Sequence, residues 1–139
     1  MKSYNVLLTD DDNSLRIILS ESLLRAGYEV TSLKNTTELM DEVKSGRGDI
    51  VITDVIMPDG DGIELIPKIK KIREDLPIIV MSARSNLQTA IRSNQKGAFE
   101  YLPKPFDIND LLSTIKRALE SELQNKENSN KIDFEDSSS

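Results

Sequence analysis

The chain has 139 residues, 37% of them hydrophobic and 30% charged, with a formal net charge of −6 at pH 7. These values predict one globular domain, and the acidic balance argues against direct nucleic-acid contact by this segment. Cysteine and histidine are both absent, which excludes disulfides, thiolate metal sites and histidine-based catalysis. No apolar run approaches the roughly 18 residues of a membrane span, and the N-terminus lacks a signal-peptide pattern, so we expect a cytoplasmic protein with no membrane contact.

Short apolar runs alternate with segments of helical periodicity along the chain. The runs predict strands over 6–9, 28–33, 50–54, 77–81 and 98–102, with helices over 15–26, 37–45, 63–73, 87–96 and 108–119. Such alternation predicts an α/β domain with a doubly wound parallel sheet of five strands flanked by five helices. We place this domain at residues 1–122. Residues 123–139, rich in Asn, Lys, Glu, Asp and Ser, are predicted to be a disordered tail or linker.

Polar residues and glycines lie at the predicted helix starts and in the predicted turns. Asn13 or Ser14 suits the N-cap of the first helix, and Thr36 or Thr37 suits that of the second. Between the third strand and the third helix, Asp59 and Asp61 are typical turn residues. We expect Gly60 and Gly62 in the same turn to adopt positive φ.

Chemically active side chains follow four of the predicted strands at the point where each strand ends. They are Asp10, Asp11 and Asp12 after the first strand, Asp54 after the third, Ser82 after the fourth and Lys104 after the fifth. Ligands of doubly wound sheets bind beyond the carboxyl ends of the strands, so we expect these groups to meet. Two acids about 4 Å apart repel by ~4 kcal/mol at an effective dielectric near 20, so three such acids either raise a pKa strongly or require a cation. An oxygen-only set of ligands selects a hard ion, with Mg²⁺ first.

A phosphoryl group is the ligand that suits this set. Lys104 supplies a positive charge, Ser82 supplies a hydroxyl donor, and Asp54 would be the nucleophile. Each residue alone has a plainer interpretation: the first acids as helix caps, Asp54 as a turn residue and Lys104 as a solvated loop lysine. The convergence of four strand ends favours the phosphoryl site.

The joint pattern Asp10-Asp11, Asp54-x-x-Met57-Pro58-x-x-x-Gly62, Ser82-Ala83 and Lys104-Pro105 resembles the receiver domains of two-component response regulators. The resemblance covers residues from about 4 to 122. It implies the flavodoxin-like (CheY-like) fold with strand order 2-1-3-4-5 and a Lys104–Pro105 bond that is cis. It also implies that Asp54 takes a phosphoryl group from a sensor histidine kinase.

The resemblance further assigns roles around Asp54. Mg²⁺ would be held by Asp11, Asp54 and the backbone carbonyl of Ile56, with Asp10 acting through water. Asp12 could shift this register by one residue. The residues implied in phosphate binding and switching are Ser82, Ala83, Lys104 and the aromatic Tyr101.

More narrowly, Ser82-Ala83-Arg84-Ser85 and residues 97–107 are similar to NtrC-type sigma-54-dependent activators. That implies downstream AAA+ and DNA-binding output domains, and a homodimer through the fourth helix, fifth strand and fifth helix. The domain would not be an enzyme beyond its own phosphotransfer and dephosphorylation. The alternatives are a stand-alone receiver, a pseudo-receiver used only for binding, and an Mg²⁺-dependent aspartyl-phosphate phosphatase. The phosphatase would typically carry Asp-x-Asp, whereas Asp54-Val55-Ile56 lacks the second acid.

Overall fold

The computed structural model describes residues 3–83 and 86–138, with side chains described as far as residue 125. Strands and helices alternate through these ranges. Their bounds are β1 (Asn5–Thr9), α1 (Asn13–Arg25), β2 (Glu29–Leu33), α2 (Thr36–Lys44), β3 (Ile50–Asp54), β4 (Ile56–Met57), β5 (Gly60–Asp61), α3 (Gly62–Ile72), β6 (Ile78–Ser82), α4 (Leu87–Lys96), β7 (Glu100–Pro103) and α5 (Ile108–Ser138).

The longer strands form a parallel sheet in the order β2-β1-β3-β6-β7. If only these five strands are numbered, the order is 2-1-3-4-5, so the predicted fold class and topology are confirmed. The strands β1 and β3 lie side by side at the centre, and their residues 6–8 and 50–52 are fully buried. Burial on both faces explains why these strands are continuous apolar runs without alternation.

Two hydrophobic cores lie on opposite faces of the sheet. One contains side chains of α2 and α3, such as Leu39 and Ile66, packed with Leu7 of β1. The other contains side chains of α1 and α5, such as Leu23 and Ile115. This arrangement exposes the carboxyl ends of β1, β3 and β6 along one edge of the sheet.

Helix α4 is weakly anchored to this framework. In the described part of the chain its buried side chain is Ser93, whereas α3 buries five residues. Leu87 and Ile91 of α4 are 76% and 45% exposed. The low apolar content of this segment therefore correctly predicts a loosely packed helix.

Both predicted N-cap assignments are wrong by one or two residues. Asp12 caps α1, with its carboxylate accepting from the N–H of Leu15 at 3.1 Å. Asn35 caps α2, with its amide oxygen accepting from the N–H of Glu38 at 2.8 Å. Each cap has extended backbone, and the residues proposed from sequence already lie in the first helical turn.

The expected positive φ of Gly60 and Gly62 is also wrong. Among the described residues, positive φ occurs at Gly27, Gly46, Gly48 and Gly97. The segment after β3 instead forms a small antiparallel pair, in which Ile56 of β4 faces Asp61 of β5. Pairing with β4 keeps Gly60 of β5 extended, and Gly62 begins α3, so neither glycine needs the left-handed conformation.

Asp59, in the turn that joins β4 to β5, holds the start of α2. Its carboxylate accepts from the N–H groups of Thr36 at 2.8 Å and Thr37 at 3.1 Å, and from the Thr37 hydroxyl at 2.8 Å. The hydrogen bond from the Thr36 N–H is the largest of the effects that hold the pKa of Asp59 well below its usual range. Asp59 thus satisfies helix N–H groups that would otherwise face solvent.

We expect Asp59→Ala to lower the melting temperature at neutral pH. A carboxylate with a depressed folded pKa stabilises the fold above its unfolded pKa, and this contribution is lost as the pH falls through the folded pKa. The melting temperature of the variant should therefore lie below that of the wild type by the full amount at pH 7. This difference should become smaller below the ordinary Asp pKa of 3.8. Calorimetry across this range measures it, with Asp59→Asn, which keeps one acceptor oxygen, as the milder control. A deficit that does not change with pH would contradict the capping role.

The last helix extends past the predicted end of the domain. Helical backbone runs without interruption from Ile108 to Ser138, so no break marks residue 122. The packed part ends earlier, since Leu119 is buried and Leu123 is 49% exposed. The domain boundary at 122 and the tail or linker role of residues 123–139 stay predictions.

No helix in the described ranges combines the length and apolar character needed to cross a membrane.

Candidate functional site

The site lies at the carboxyl edge of the sheet, where β1 and β3 end together. Thr9 pairs with Thr53, so Asp10 and Asp54 leave adjacent strands side by side. From the loop after β7, the Nζ atom of Lys104 lies 2.8 Å from Oδ2 of Asp10 and 3.2 Å from Oδ2 of Asp54. One ammonium thus bridges two carboxylates brought from distant parts of the sequence.

Three acids converge beside this bridge. One carboxylate oxygen from each of Asp10, Asp11 and Asp54 lies within 4.8 Å of the other two. Asp10 is fully buried, Asp54 is partly buried and Asp11 is exposed. The cluster therefore has a solvent-facing side, and its ligand atoms are oxygens, which suits a hard divalent cation.

Hydrogen bonds already engage both oxygens of Asp10. Oδ1 accepts from the N–H of Asp12 at 2.9 Å, and Oδ2 accepts from Lys104. Direct contact of Asp10 with a metal would compete with these bonds, whereas Asp11 faces solvent. The side chain of Asp12 caps α1, which favours the Asp10–Asp11 register over one shifted by a residue.

The electrostatics of Asp54 are balanced between opposing effects. Burial has the largest effect and raises the pKa of Asp54. The positive charge of Lys104 lowers this pKa and the negative charge of Asp10 raises it, and the net result is a raised pKa. For Lys104, burial alone would lower the pKa, but the hydrogen bonds and charges of Asp10 and Asp54 outweigh it and the pKa is raised. Lys104 is therefore a firmly protonated cation, and Asp54 is a carboxylate with a raised proton affinity.

Gly62 fits against the strand end that carries Asp54. A Cβ atom at this position would lie 2.1 Å from the Asp54 carbonyl oxygen and 3.2 Å from the Thr53 hydroxyl. The Gly62 N–H donates to the carbonyl of Val55 at 2.7 Å. The motif that marks Gly62 in the sequence is thus explained by close backbone approach and not by positive φ.

We expect Gly62→Ala to destabilise the fold by roughly 2 kcal/mol, the usual cost of forcing extra atoms into a packed site. The matched control is Gly60→Ala, because a Cβ there meets Thr36 at an ordinary 3.5 Å. Urea unfolding of the two variants measures the difference. Equal stabilities would show that the approach to Asp54 imposes no constraint.

Ser82 and Ala83 reach the same edge from β6. Asp54 pairs with Met81, so Ser82 lies one residue beyond the pair, where it is buried and Ala83 is exposed. The Ser82 carbonyl accepts the N–H of Lys104 at 2.7 Å, which fixes the start of the loop after β7.

Tyr101 and Ile56 lie farther from the acids. Tyr101 pairs with Val80 in the sheet and packs, partly buried, against the core that contains α2 and α3. Ile56 lies in β4 with its side chain 50% exposed. The Lys104–Pro105 bond is cis, as the resemblance implies. The switching role of Tyr101 and the metal contact of the Ile56 carbonyl stay predictions.

Arg16 is a residue of this region that sequence patterns did not single out. It lies in the first turns of α1, and its guanidinium donates to the backbone carbonyl of Asp10. A charged residue in a helical turn carries no linear signal of such a contact. The run of three acids that begins at Asp10 is the nearest available hint.

Comparison with known proteins identifies the family. The family described as "Response regulator receiver domain" matches residues 6–116. The chain belongs to this family. NtrC of Azospirillum brasilense is 51% identical over 121 residues, which cover 87% of this chain and 25% of the relative. NtrC of Escherichia coli (strain K12) is 40% identical over 114 residues, which cover 82% of this chain and 24% of the relative. The chain therefore spans about a quarter of the length of these curated relatives.

Solved receiver domains share the fold. A CheY-like receiver domain protein from Methanospirillum hungatei superposes with a TM-score of 0.85 at 27% identity, covering 89% of this chain and 99% of that one. The beryllofluoride-activated NtrC4 receiver domain dimer superposes with a TM-score of 0.81 at 36% identity, covering 85% of this chain and 98% of that one. The response regulator assignment made from the sequence is confirmed.

Proposed function

We propose that this receiver domain accepts a phosphoryl group on Asp54 from a sensor histidine kinase, with Mg²⁺ bound by the neighbouring acids. The observation that carries the proposal is the Lys104 ammonium placed between Asp10 and Asp54, 3.2 Å from the latter, with Asp11 beside them. A nucleophile, a fixed cation and a set of oxygen ligands at one sheet edge are the parts that phosphoryl transfer requires.

The chemistry follows from the positions of these residues. A carboxylate oxygen of Asp54 attacks phosphorus, an O–P bond forms, and the bond from phosphorus to the donor nitrogen breaks, with its electron pair staying on the donor imidazole. Lys104 neutralises charge on the phosphoryl oxygens. Asp11, Asp54 and the Ile56 carbonyl would hold Mg²⁺, with Asp10 acting through water. When bound, the metal supplies charge stabilisation to the acids and to the phosphoryl group.

The kinase is proposed to dock on an apolar groove beside this site. The groove has a volume of about 600 Å³ and extends to Lys104. It is lined by Leu15, Ile18 and Ser22 of α1 and by Ala83, Pro105 and Phe106. Ile18 is 60% exposed, so Ile18→Ser should slow transfer from a kinase without affecting transfer from acetyl phosphate. Equal slowing with both donors would place the effect at Asp54 and not at docking.

The test of the proposed function uses a small donor, so no partner is needed. Incubation with acetyl phosphate and Mg²⁺ should increase the mass by about 80 Da, the addition of one phosphoryl group. An adduct that persists for minutes is expected of a phosphoacceptor that is not otherwise an enzyme. Rapid turnover of acetyl phosphate without a lasting adduct would support the phosphatase alternative, and no reaction would support a pseudo-receiver.

Phosphorylation would be read out through α4. Ser82 lies at the edge next to Asp54, and its hydroxyl would turn to a phosphoryl oxygen in a charge-assisted hydrogen bond. Tyr101 would then turn inward and α4 would shift. The weak anchoring of α4 supports this proposal, since its attachment to α3 includes an exposed ion pair from Arg92 to Glu64 at 2.8 Å. A weakly held helix suits a two-state switch.

We expect Ser82→Ala to accept the phosphoryl group but to transmit little change. The measurement is amide hydrogen exchange of α4 and β7 with and without beryllofluoride, a phosphoryl mimic. Wild-type protein should change protection across residues 86–101, and Ser82→Ala should change it much less. If both proteins respond alike, the hydroxyl does not carry the signal.

The output is proposed to be an NtrC-type transcription activator in the cytoplasm. The NtrC relatives are about four times as long as the segment they share with this chain, which leaves room for AAA+ and DNA-binding domains. A homodimer through α4, β7 and α5 is proposed because the similar NtrC4 receiver is described as a dimer. A stand-alone receiver is the alternative. Gel filtration with and without beryllofluoride tests the dimer, and an unchanged monomer would contradict it.

A further inference from the structure

We propose that Arg16 is a positioning residue for the acidic cluster, an inference that rests on the proposed Mg²⁺ site. Its guanidinium forms three hydrogen bonds to three different parts of the fold. One N–H donates to the backbone carbonyl of Asp10, the Nε–H donates to the Ser32 hydroxyl at 3.0 Å, and another N–H donates to Oδ1 of Asn13 at 2.9 Å. Arg16 thereby joins the end of β1 to the start of α1 and to β2.

The hydrogen bond from Arg16 to the Asp10 carbonyl lies at the point where the chain leaves the sheet. The N–H of Asp10 still belongs to the sheet, where it donates to the Leu33 carbonyl at 3.1 Å. The carbonyl of Asp10 belongs to the next peptide, which joins Asp10 to Asp11. The orientation of this peptide decides where the exposed side chain of Asp11 lies relative to Asp54. Arg16 extends from a packed helix and donates a hydrogen bond to this peptide. The position of the Asp11 carboxylate relative to Asp54 therefore depends on Arg16.

Removal of Arg16 has two physical effects on Mg²⁺ affinity, and they have opposite signs. A measured affinity therefore distinguishes between them. As a positive charge near a cation site, Arg16 repels Mg²⁺, so its loss would tighten metal binding if charge alone mattered. As a positioning residue, its loss lets the Asp10–Asp11 peptide rotate and weakens metal binding. Residues that orient metal ligands typically change affinity by about 10- to 100-fold when substituted. We infer that positioning dominates.

The experiment measures Mg²⁺ affinity by isothermal titration calorimetry for wild type, Arg16→Ala and Arg16→Lys, together with the melting temperature of each without metal. Arg16→Ala should weaken Mg²⁺ binding about tenfold, the lower end of the range for such residues. Arg16→Lys, which keeps one donor within reach of the Asp10 carbonyl, should recover part of this loss. Phosphorylation by acetyl phosphate should slow at low Mg²⁺ and recover at saturating Mg²⁺.

Matched controls separate the bond to Asp10 from the other two contacts. Ser32→Ala and Asn13→Ala each remove one partner of the guanidinium and leave the Asp10 bond in place, so Mg²⁺ affinity should change less than in Arg16→Ala. Unchanged or tighter Mg²⁺ binding by Arg16→Ala overturns the positioning role, whatever its melting temperature. A wild-type protein that binds no Mg²⁺ overturns the proposed metal site and this role with it, so the two failures are distinguishable.

Discussion

Asp54→Asn should accept no phosphoryl group and should be more stable than the wild type without Mg²⁺. The amide keeps the shape of the side chain but is not a nucleophile, so acetyl phosphate should leave the mass of the variant unchanged. The substitution also removes a carboxylate whose pKa is raised, with burial as the leading cause. We expect stabilisation by roughly 1 kcal/mol, because the relieved cost of burying a charged carboxylate, together with the lost repulsion from Asp10, exceeds the lost attraction of Lys104.

The pH dependence of this gain has a definite sign. A raised folded pKa means that the ionised form of Asp54 destabilises the fold above that pKa, and that the penalty disappears as the group is protonated. The advantage of Asp54→Asn should therefore be full at pH 7 and shrink as the pH falls through the raised folded pKa. Calorimetry at several pH values measures it. A variant less stable than the wild type at pH 7 would contradict this description of the site.

Lys104→Ala should have the largest effect on stability. Lys104 contacts the fully buried carboxylate of Asp10, and loss of one partner of a buried ion pair typically costs about 3 kcal/mol or more. Its folded pKa is raised, so the contribution of the ammonium is complete below the ordinary Lys value of 10.5 and is lost only as the pH rises through the folded pKa. The deficit should therefore be present at pH 7.

Added Mg²⁺ should change the stability of Lys104→Ala. Lys104 and the metal are both cations near the same acids, so the metal should restore part of the lost stability, by mass action on the folded state. The gain in melting temperature from Mg²⁺ should be larger in Lys104→Ala than in the wild type. The control is the exposed Lys116→Ala, which should change the free energy of unfolding by less than about 0.5 kcal/mol. A Lys104 variant as stable as the Lys116 variant would contradict the ion pair.

The sheet and the acidic edge could be predicted because they follow from strong, regular signals. Buried central strands require continuous apolar runs, and an α/β topology brings every strand end to one edge. This is why Asp10, Asp54 and Lys104, which are far apart in sequence, could be placed together before the structure was known. Their contacts at 2.8 and 3.2 Å agree with that placement.

The features that sequence did not predict depend on local geometry or on single contacts. Asp12 is followed by two other good capping residues, so composition alone could not choose the cap. The strands β4 and β5 have two residues each, too few for a periodic pattern. The need for Gly62 arises from an approach to Asp54 that only the folded backbone shows.

The central claim is that Asp54 is the phosphoacceptor, and locating the modified residue tests it most directly. After reaction with acetyl phosphate and Mg²⁺, borohydride reduction converts an acyl phosphate on aspartate into homoserine, which survives digestion and is placed by peptide mass spectrometry. We expect conversion at Asp54 that depends on Mg²⁺ and is absent in Asp54→Asn. Conversion at Asp10 or Asp11, or an equal yield in Asp54→Asn, would contradict it.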